Sequence, residues 1–351
     1  MDLLELEGTG SGCEDRNCGR TSGFSEGCLN EECHLDEPIF GFIELLCVTV
    51  IYIPLMLFGL LGNILTILVV WLRPHMRSST YLYLSSMAVS DLLILLLLPL
   101  DLYKLWRPSP WYLGDVACKL TMFLSECCTF CTILHITFLS LERYLAVCWP
   151  ITAKTLVTRR RTRALIGCLW LGAAVSAAPV LVMVGVEDVG REEECRFTHY
   201  AVTSGLLSAM IIFSNLYFLV PLCILGLVYS LIGRTLWLRP QSSRRDQSHR
   251  HTIKMLGVIV LAFVLCWLPF HVGRTMFSLA LGNSYFLYHL SQYFNLVSSV
   301  LFYLSAAINP LLYNLMSARY RHAVQSLVHT HSHTPSHRPR TLTARHSTTT
   351  S

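Results

Sequence analysis

Apolar residues fall into seven long stretches along this chain, and short polar segments separate them. A helix rises 1.5 Å per residue and needs roughly 20 apolar residues to cross a hydrocarbon core of about 30 Å. Several stretches exceed that minimum, so we expect their ends to project beyond the hydrocarbon or the helices to tilt. The predicted membrane spans are about 42–72, 80–105, 114–148, 163–186, 204–238, 252–281 and 289–316.

Composition agrees with a membrane protein. Of 351 residues, 53% are hydrophobic and 14% are charged, whereas about 25% of the residues in an average soluble domain are charged. The predicted fold class is therefore an all-α membrane protein. The pattern divides it into an N-terminal segment at 1–41, a seven-helix bundle at 42–316, a short amphipathic eighth helix at 317–328 and a disordered tail at 329–351.

Basic residues predict the orientation of the bundle. They concentrate after the first, third, fifth and seventh spans, and the positive-inside rule places those segments in the cytoplasm. An odd number of spans then leaves the acidic N-terminal segment outside, so the net charge of +5 is polarised across the membrane and does not indicate nucleic-acid binding. The basic residues concerned are Arg73, Arg77, Lys154, Arg159, Arg160, Arg161, Arg163, Arg239, Arg244, Arg245, Arg250, Arg319 and Arg321.

Two cysteines of the expected outer face are candidates for a disulfide. Cys118 heads the third span and Cys195 lies in the loop after the fourth, and disulfides persist in the oxidising environment outside the cell. We predict that they are joined, which would pin the loop over the mouth of the bundle. Four cysteines of the N-terminal segment can pair in three ways, so their pairing stays open. They are Cys13, Cys18, Cys28 and Cys33.

One acidic residue lies deep inside the second span. Asp91 is about eleven residues from the start of that stretch, where a charge costs about 2.5–3.5 kcal/mol on insertion scales. It must therefore face polar neighbours, and those expected at similar depth are Asn63, Thr132, Ser305 and Asn309. Such a cluster could hold a sodium ion or a proton. The alternative is a neutral, hydrogen-bonded Asp91 that serves packing alone.

A second acidic residue lies near the outer end of the third span. Glu126 follows Cys118 by eight residues, which places it about 12 Å farther along the helix. Arg274 lies at similar depth near the outer end of the sixth span, and a buried acid needs a partner. We therefore expect a ligand-accessible Glu126–Arg274 pair, with two unrelated snorkelling charges as the alternative.

The third span ends in Glu142-Arg143-Tyr144, about 37 Å from Cys118. Glu142 is expected to neutralise Arg143 at rest, so that the two form a latch that opens to admit a partner. The alternative for a lone arginine is snorkelling to lipid phosphates.

Prolines in the later spans predict moving parts. Pro269 removes a backbone hydrogen bond and kinks the sixth span just after Trp267. Asn309-Pro310 with Tyr313 repeats this arrangement near the inner end of the seventh span. Membrane helices tolerate proline widely, so each proline alone is weak evidence for a moving part.

Together these residues resemble the rhodopsin-like family of G-protein-coupled receptors over about residues 42–328. Each motif is weak by itself, but the whole set in this order is specific. The motifs are Gly62-Asn63, SMAVSD ending at Asp91, Glu142-Arg143-Tyr144, Trp170, Pro221, Tyr229, Cys266-Trp267-Leu268-Pro269 and Asn309-Pro310-Leu311-Leu312-Tyr313.

Longer stretches are similar to the ghrelin and motilin receptor subfamily. They are SLIGRTLW at 230–237, VLCWLPFHVGR at 264–274, SQYFNLVSSVLFYLSAAINP at 291–310 and RPSPW at 107–111. DLYKLW at 101–106 and LVTRRRTRALI at 156–166 favour a motilin receptor, whereas RDQSHRHTIKML at 245–256 is as similar to ghrelin receptors. The expectation is therefore a motilin receptor, with a ghrelin (growth hormone secretagogue) receptor as the alternative.

The resemblance implies a receptor of the plasma membrane without enzymatic activity. A peptide hormone would enter from outside, and a G protein of the Gq class would signal through phospholipase C and calcium. Receptor kinases and arrestin would act on the Ser/Thr-rich tail. No cofactor is implied beyond a sodium ion at Asp91. A polytopic transporter is the rival from another class, but the halves of the chain show no internal repeat.

The same resemblance assigns roles to individual residues. Those that would line the peptide pocket are Glu126, Arg274, Phe270, His271 and Phe294. Those that would switch the bundle and couple it to the G protein are Glu142, Arg143, Tyr144, Trp267, Pro269, Tyr229 and Tyr313.

Overall fold

The computed structural model describes residues 40–189, 192–238, 244–280 and 285–332. The predictions for the N-terminal segment before residue 40, including the pairing of its cysteines, lie outside these residues. The same holds for the tail after residue 332.

Seven long apolar helices form the body of the described protein, which confirms the predicted all-α membrane fold. They are α1 (Phe42–Leu72), α2 (Ser79–Trp106), α3 (Gly114–Cys148), α5 (Arg159–Ala177) continued by the short α6 (Val180–Met183), α8 (Leu206–Trp237), α9 (Arg244–Ala280) and α10 (Tyr285–Met316). Shorter elements connect or follow them: a 3-10 turn (Pro74–Met76), α4 (Pro150–Leu156), α7 (His199–Thr203) and α11 (Ala318–Ser332).

Large apolar side chains cover the outside of the bundle as well as its inside. On α1, Phe58 and Trp71 are 73% and 70% exposed, whereas Trp267, Tyr303 and Tyr313 are almost completely buried between the helices. Lipid is as apolar as a leucine side chain, so this exposed apolar surface suits a bilayer. Close packing and hydrogen bonds between helices must then hold the bundle together.

A glycine allows α1 to approach α10 closely. A Cβ atom added at Gly62 would lie 2.9 Å from Cβ of Pro310, which is closer than real Cβ contacts allow. The proline ring is rigid and cannot move aside. Small residues at such crossings are typical of membrane helices, because they let the two backbones pack together.

We predict that Gly62→Ala lowers the thermal stability of the protein, because the added methyl group forces α1 away from Pro310. The expected loss is about 1–3 kcal/mol, the usual cost of overpacking. Gly167→Ala is the matched control, since nothing lies within 4 Å of its added Cβ and Gly167 is also helical. That control should stabilise its helix by up to about 1 kcal/mol. Equal melting temperatures for the two variants in detergent would contradict the predicted contact.

A β-hairpin follows the fourth span, where the sequence predicted helix to residue 186. The helical conformation ends at Met183, and β1 (Val184–Val189) pairs in antiparallel register with β2 (Glu192–Phe197). Hydropathy alone cannot distinguish the two conformations here, because valines suit a strand as well as an apolar helix.

The predicted disulfide joins Cys118 on α3 to Cys195 on β2. Two hydrogen bonds support the attachment, from the Trp111 amide to the Glu193 carbonyl at 2.8 Å and from the Val186 amide to Asp115 Oδ1 at 3.1 Å. The hairpin is thereby fixed to the start of α3. We call this end of the bundle the disulfide end, and the end that holds Arg143 the opposite end.

Helix α11 lies where the amphipathic helix was predicted, and it continues to Ser332 rather than ending at 328. Tyr320 and Ala323 are buried against the bundle. The Tyr320 hydroxyl lies 2.9 Å from Thr66 Oγ1 of α1, so a hydrogen bond attaches α11 to the opposite end of the bundle.

Candidate functional site

A buried ion pair lies between α3 and α9 near the disulfide end. Arg274 Nη1 donates to Glu126 Oε2 at 2.6 Å, and the two side chains are 21% and 8% exposed. The other carboxylate oxygen, Glu126 Oε1, is buried and has no hydrogen-bond partner among the residues that the structure describes. The structure thus brings together the two charges that the sequence predicted as a pair, and one acceptor position remains open for a further donor.

Aromatic side chains surround this pair. The guanidinium of Arg274 lies 5.6 Å from the centre of the Phe270 ring, within the range of a cation–π contact. His271 is buried and stacks on Phe218 at 4.5 Å, and within the described ranges neither of its ring nitrogens has a hydrogen-bond partner. The Phe294 ring of α10 lies beside Gly273, next to Arg274 in the chain. All five predicted pocket residues are therefore near the disulfide end.

A second acidic residue near this end was not among the predicted site residues. The hydroxyl of Tyr303 donates to Asp101 of α2, and the Tyr303 ring packs edge-on against Tyr52 of α1 at 5.1 Å. An acid inside an apolar span was the signal that could have identified it.

The polar cluster around Asp91 is formed in part as predicted. Asn309 Nδ2 donates to Asp91 Oδ2 at 2.9 Å, and Asn309 lines a small cavity with Thr132, Ser305 and Trp267. Asn63 makes different contacts, because its amide donates to the carbonyls of Gly59 at 2.9 Å and Ala306 at 3.0 Å. These contacts do not test whether a sodium ion or a proton occupies the cluster, so that stays a prediction.

Trp267 lies at the centre of an aromatic cluster above this cavity. Its ring is 1% exposed and lies 5.4 Å from Phe263, 6.1 Å from Phe270 and 5.2 Å from Phe302. Pro269 lies two residues later inside α9. The Ser298 hydroxyl of α10 lies 3.1 Å from the Pro269 carbonyl. The cluster therefore connects the pocket residue Phe270 with the polar cavity below.

Glu142 does not neutralise Arg143 in this structure, contrary to the expected latch. Among the residues that the structure describes, Arg143 has no ion pair, and its buried Nε atom has no partner. Glu142 instead accepts hydrogen bonds from Ser79 and Tyr83 of α2. Sequence could not predict this, because the competing donors lie about 60 residues away in the chain.

The remaining predicted switch residues lie at the opposite end with Arg143. The Tyr229 hydroxyl is 3.4 Å from Ser140 Oγ, which connects α8 with α3. Tyr144 packs in a small apolar cluster with Val147 of α3. Tyr313 is buried, and no described residue forms a hydrogen bond with its hydroxyl.

Three features of this structure together define a class of membrane receptor. They are the seven helices, the disulfide-attached hairpin over one end of the bundle, and Glu142-Arg143-Tyr144 at the other. A family model described as the seven-transmembrane receptor (rhodopsin family) matches residues 62–313. The chain belongs to that family, whose members are receptors rather than enzymes or transporters. It is a G-protein-coupled receptor that crosses the plasma membrane several times.

Relatives place the chain in the ghrelin and motilin receptor subfamily. The growth hormone secretagogue receptor type 1 of pig (Sus scrofa) is 52% identical over 303 residues, which cover 83% of each chain. The human (Homo sapiens) motilin receptor is 42% identical over 340 residues, 82% of each chain. Human neurotensin receptor type 1 is 34% identical over 310 residues, 78% of this chain and 74% of the relative.

These identities favour the ghrelin-receptor alternative over the predicted motilin receptor. The motilin prediction rested on short stretches such as DLYKLW, and comparison over most of the chain outweighs it.

Proposed function

We propose that this chain is a receptor for a peptide hormone of the growth hormone secretagogue class, ghrelin, in preference to motilin. The observation that carries this proposal is the buried Glu126–Arg274 pair, within a chain that is 52% identical over 303 residues to a growth hormone secretagogue receptor. The identity supports the ligand class, and the pair supplies a chemical group that can recognise it.

The open carboxylate oxygen of Glu126 suits a cationic group of the peptide. An ionised carboxylate is an acceptor with room for several donors, and Arg274 uses only Oε2. A ligand ammonium at Oε1 would make a charge-assisted hydrogen bond in a site that is largely shielded from water. The aromatic rings of Phe270 and Phe294 would then bury the apolar part of the peptide beside it.

Binding at this pair would reach the opposite end of the bundle through α9. Arg274, Phe270, Trp267 and Pro269 all lie on that helix, within about two turns. A ligand shifts an equilibrium only by its differential affinity for the two shapes of the bundle. Moving the population from 1:99 to 99:1 needs about 5.5 kcal/mol of such preference.

The orientation and downstream partners belong to the same proposal. The disulfide end would face outside, since an oxidising environment permits the Cys118–Cys195 bond. The opposite end would face a cytoplasmic G protein of the Gq class, with Arg143 at the contact. Receptor kinases and arrestin would recognise the Ser/Thr-rich tail beyond the described residues.

A calcium assay in cells that express the receptor tests the ligand. We expect acyl-ghrelin to evoke calcium release at lower concentration than motilin, because the chain is more similar to growth hormone secretagogue receptors. Unacylated ghrelin, tested beside them, shows whether the acyl group is recognised, and untransfected cells are the control. Calcium release by motilin at lower concentration than by acyl-ghrelin would restore the motilin alternative, and silence towards all three peptides would contradict the proposed ligand class.

A further inference from the structure

Glu142 is surrounded by hydroxyl groups from two other helices. Ser79 Oγ of α2 donates to Glu142 Oε2 at 2.5 Å, and the Tyr83 hydroxyl donates to Oε1 at 3.0 Å. Thr162 Oγ1 of α5 lies 3.4 Å from the same Oε1 atom and 2.8 Å from Ser79 Oγ. Glu142 is 8% exposed, Thr162 is 2% exposed and Tyr83 is fully buried, so little water competes for these contacts.

The number of protons fixes the direction of these hydrogen bonds. A serine hydroxyl carries one proton, and Ser79 gives it to Glu142. Thr162 must therefore be the donor in its contact with Ser79. The hydroxyl protons of Ser79 and Tyr83 then point towards the carboxylate and that of Thr162 points towards Ser79, which fits a Glu142 carboxylate that only accepts.

This arrangement competes with an ion pair to Arg143. Hydrogen bonds to an ionised acceptor are stronger than those between neutral groups, and here two helices supply them. Glu142 is thereby directed towards α2 and α5, and Arg143 is left without a carboxylate within ion-pairing distance among the described residues. The buried and unpartnered Nε atom of Arg143 agrees with this.

We propose that Ser79, Tyr83 and Thr162 are positioning residues that compete with Arg143 for Glu142 and so set how available Arg143 is before a ligand binds. This inference rests on the proposed function in one respect, since it takes Arg143 as the residue that meets the G protein. The three hydroxyl groups do not contact the ligand or the G protein in this account. They act by holding Glu142.

The test measures ligand-independent nucleotide exchange on purified Gα subunits by the receptor in lipid nanodiscs. The variants are Ser79→Ala, Thr162→Val and both together, and Tyr83 stays intact to preserve the buried packing of α2. Without the two hydroxyls Glu142 is free to pair with Arg143, so we expect the exchange rate of the double variant to fall by about threefold or more. The exchange rate at saturating agonist should change much less.

Two controls separate positioning from folding. Ser79→Thr and Thr162→Ser keep the hydroxyl groups and should keep the ligand-independent rate. Ser230→Ala removes an exposed hydroxyl that bonds only to the Gly226 carbonyl of its own helix, and it should behave as the unchanged receptor. In a Glu142→Gln background the side chain cannot form an ion pair with Arg143, so loss of both hydroxyls should no longer lower the rate.

Three results would overturn the inference: an unchanged rate in the double variant, an equal fall in the Glu142→Gln background, or no ligand-independent exchange by the unchanged receptor. Failure of the proposed function gives a different result, because exchange would then be present but insensitive to acyl-ghrelin.

Discussion

Arg274→Gln is expected to lower the potency of the agonist by about tenfold to a hundredfold. Without Arg274 the Glu126 carboxylate loses the partner that orients it, so its free oxygen leaves the position proposed for the ligand. Removing one partner of a fully buried ion pair costs about 3–5 kcal/mol. Arg274 is 21% exposed, so solvent screens part of that cost and we expect about 1.5–3 kcal/mol. Glu126→Gln should have a similar or larger effect, since it also removes the acceptor proposed for the ligand. Calcium responses over a range of agonist concentrations, normalised to surface expression, measure the loss.

A second ion pair at the same end of the bundle provides the control. Lys119 Nζ lies 2.6 Å from Asp115 Oδ2, the same separation as in the buried pair, but the side chains are 35% and 49% exposed. Exposed pairs contribute about 0–1 kcal/mol, so Lys119→Gln should leave potency nearly unchanged. The double variant Glu126→Gln/Arg274→Gln has no unpaired charge and should reach the surface, yet its potency should remain low. Full potency in both single variants would contradict a role of the pair in recognition.

Cys195→Ser is expected to abolish specific binding of the agonist at the cell surface and to lower surface expression. The disulfide joins residues that are 77 positions apart, and in the chain-entropy account closing such a loop contributes about 4–5 kcal/mol. Without it, the hairpin of β1 and β2 keeps only hydrogen bonds such as those of Trp111 and Val186 to the start of α3. Binding of a labelled agonist to intact cells, with an antibody count of surface receptors, measures both effects.

A substitution at an exposed free cysteine is the control, because it removes a thiol without breaking the disulfide. Cys47 lies on α1 and has no disulfide partner within the described part of the chain, so Cys47→Ser should bind agonist as the unchanged receptor does. The double variant Cys118→Ser/Cys195→Ser should be no worse than Cys195→Ser, since both lose the same bond. Normal agonist binding by Cys195→Ser would show that the hydrogen bonds alone hold the hairpin in place.

The sequence predicted the depth of each residue in the membrane, because each residue of a helix adds a constant rise along its axis. Glu126 and Arg274 lie in apolar surroundings at matching depth, so their pairing followed. The disulfide followed in the same way from two cysteines at one face. Asp91 and Asn309 were also expected near each other, and their side chains are hydrogen-bonded.

The sequence did not predict how each helix is rotated about its axis. This rotation determines which neighbours Asn63 and Glu142 contact. Asn63 has the predicted depth, but it faces the backbone of α10 at Ala306 rather than Asp91. Glu142 is adjacent to Arg143 in sequence, yet neighbouring residues of a helix point in different directions, about 100° apart. Which of them meets a partner depends on the helices packed alongside.

The sequence by itself determined the seven spans, the predicted disulfide and the charged pair of the pocket, because lipid penalises every unpaired polar group and leaves few ways to arrange those residues. Only the tertiary structure decided that a hairpin follows Met183, that Asp101 bonds to Tyr303 and that Glu142 bonds to Ser79 and Tyr83. Several hydroxyl and amide groups could form hydrogen bonds with Asp101 or Glu142. The packing of helices that are distant in sequence determines which of them do.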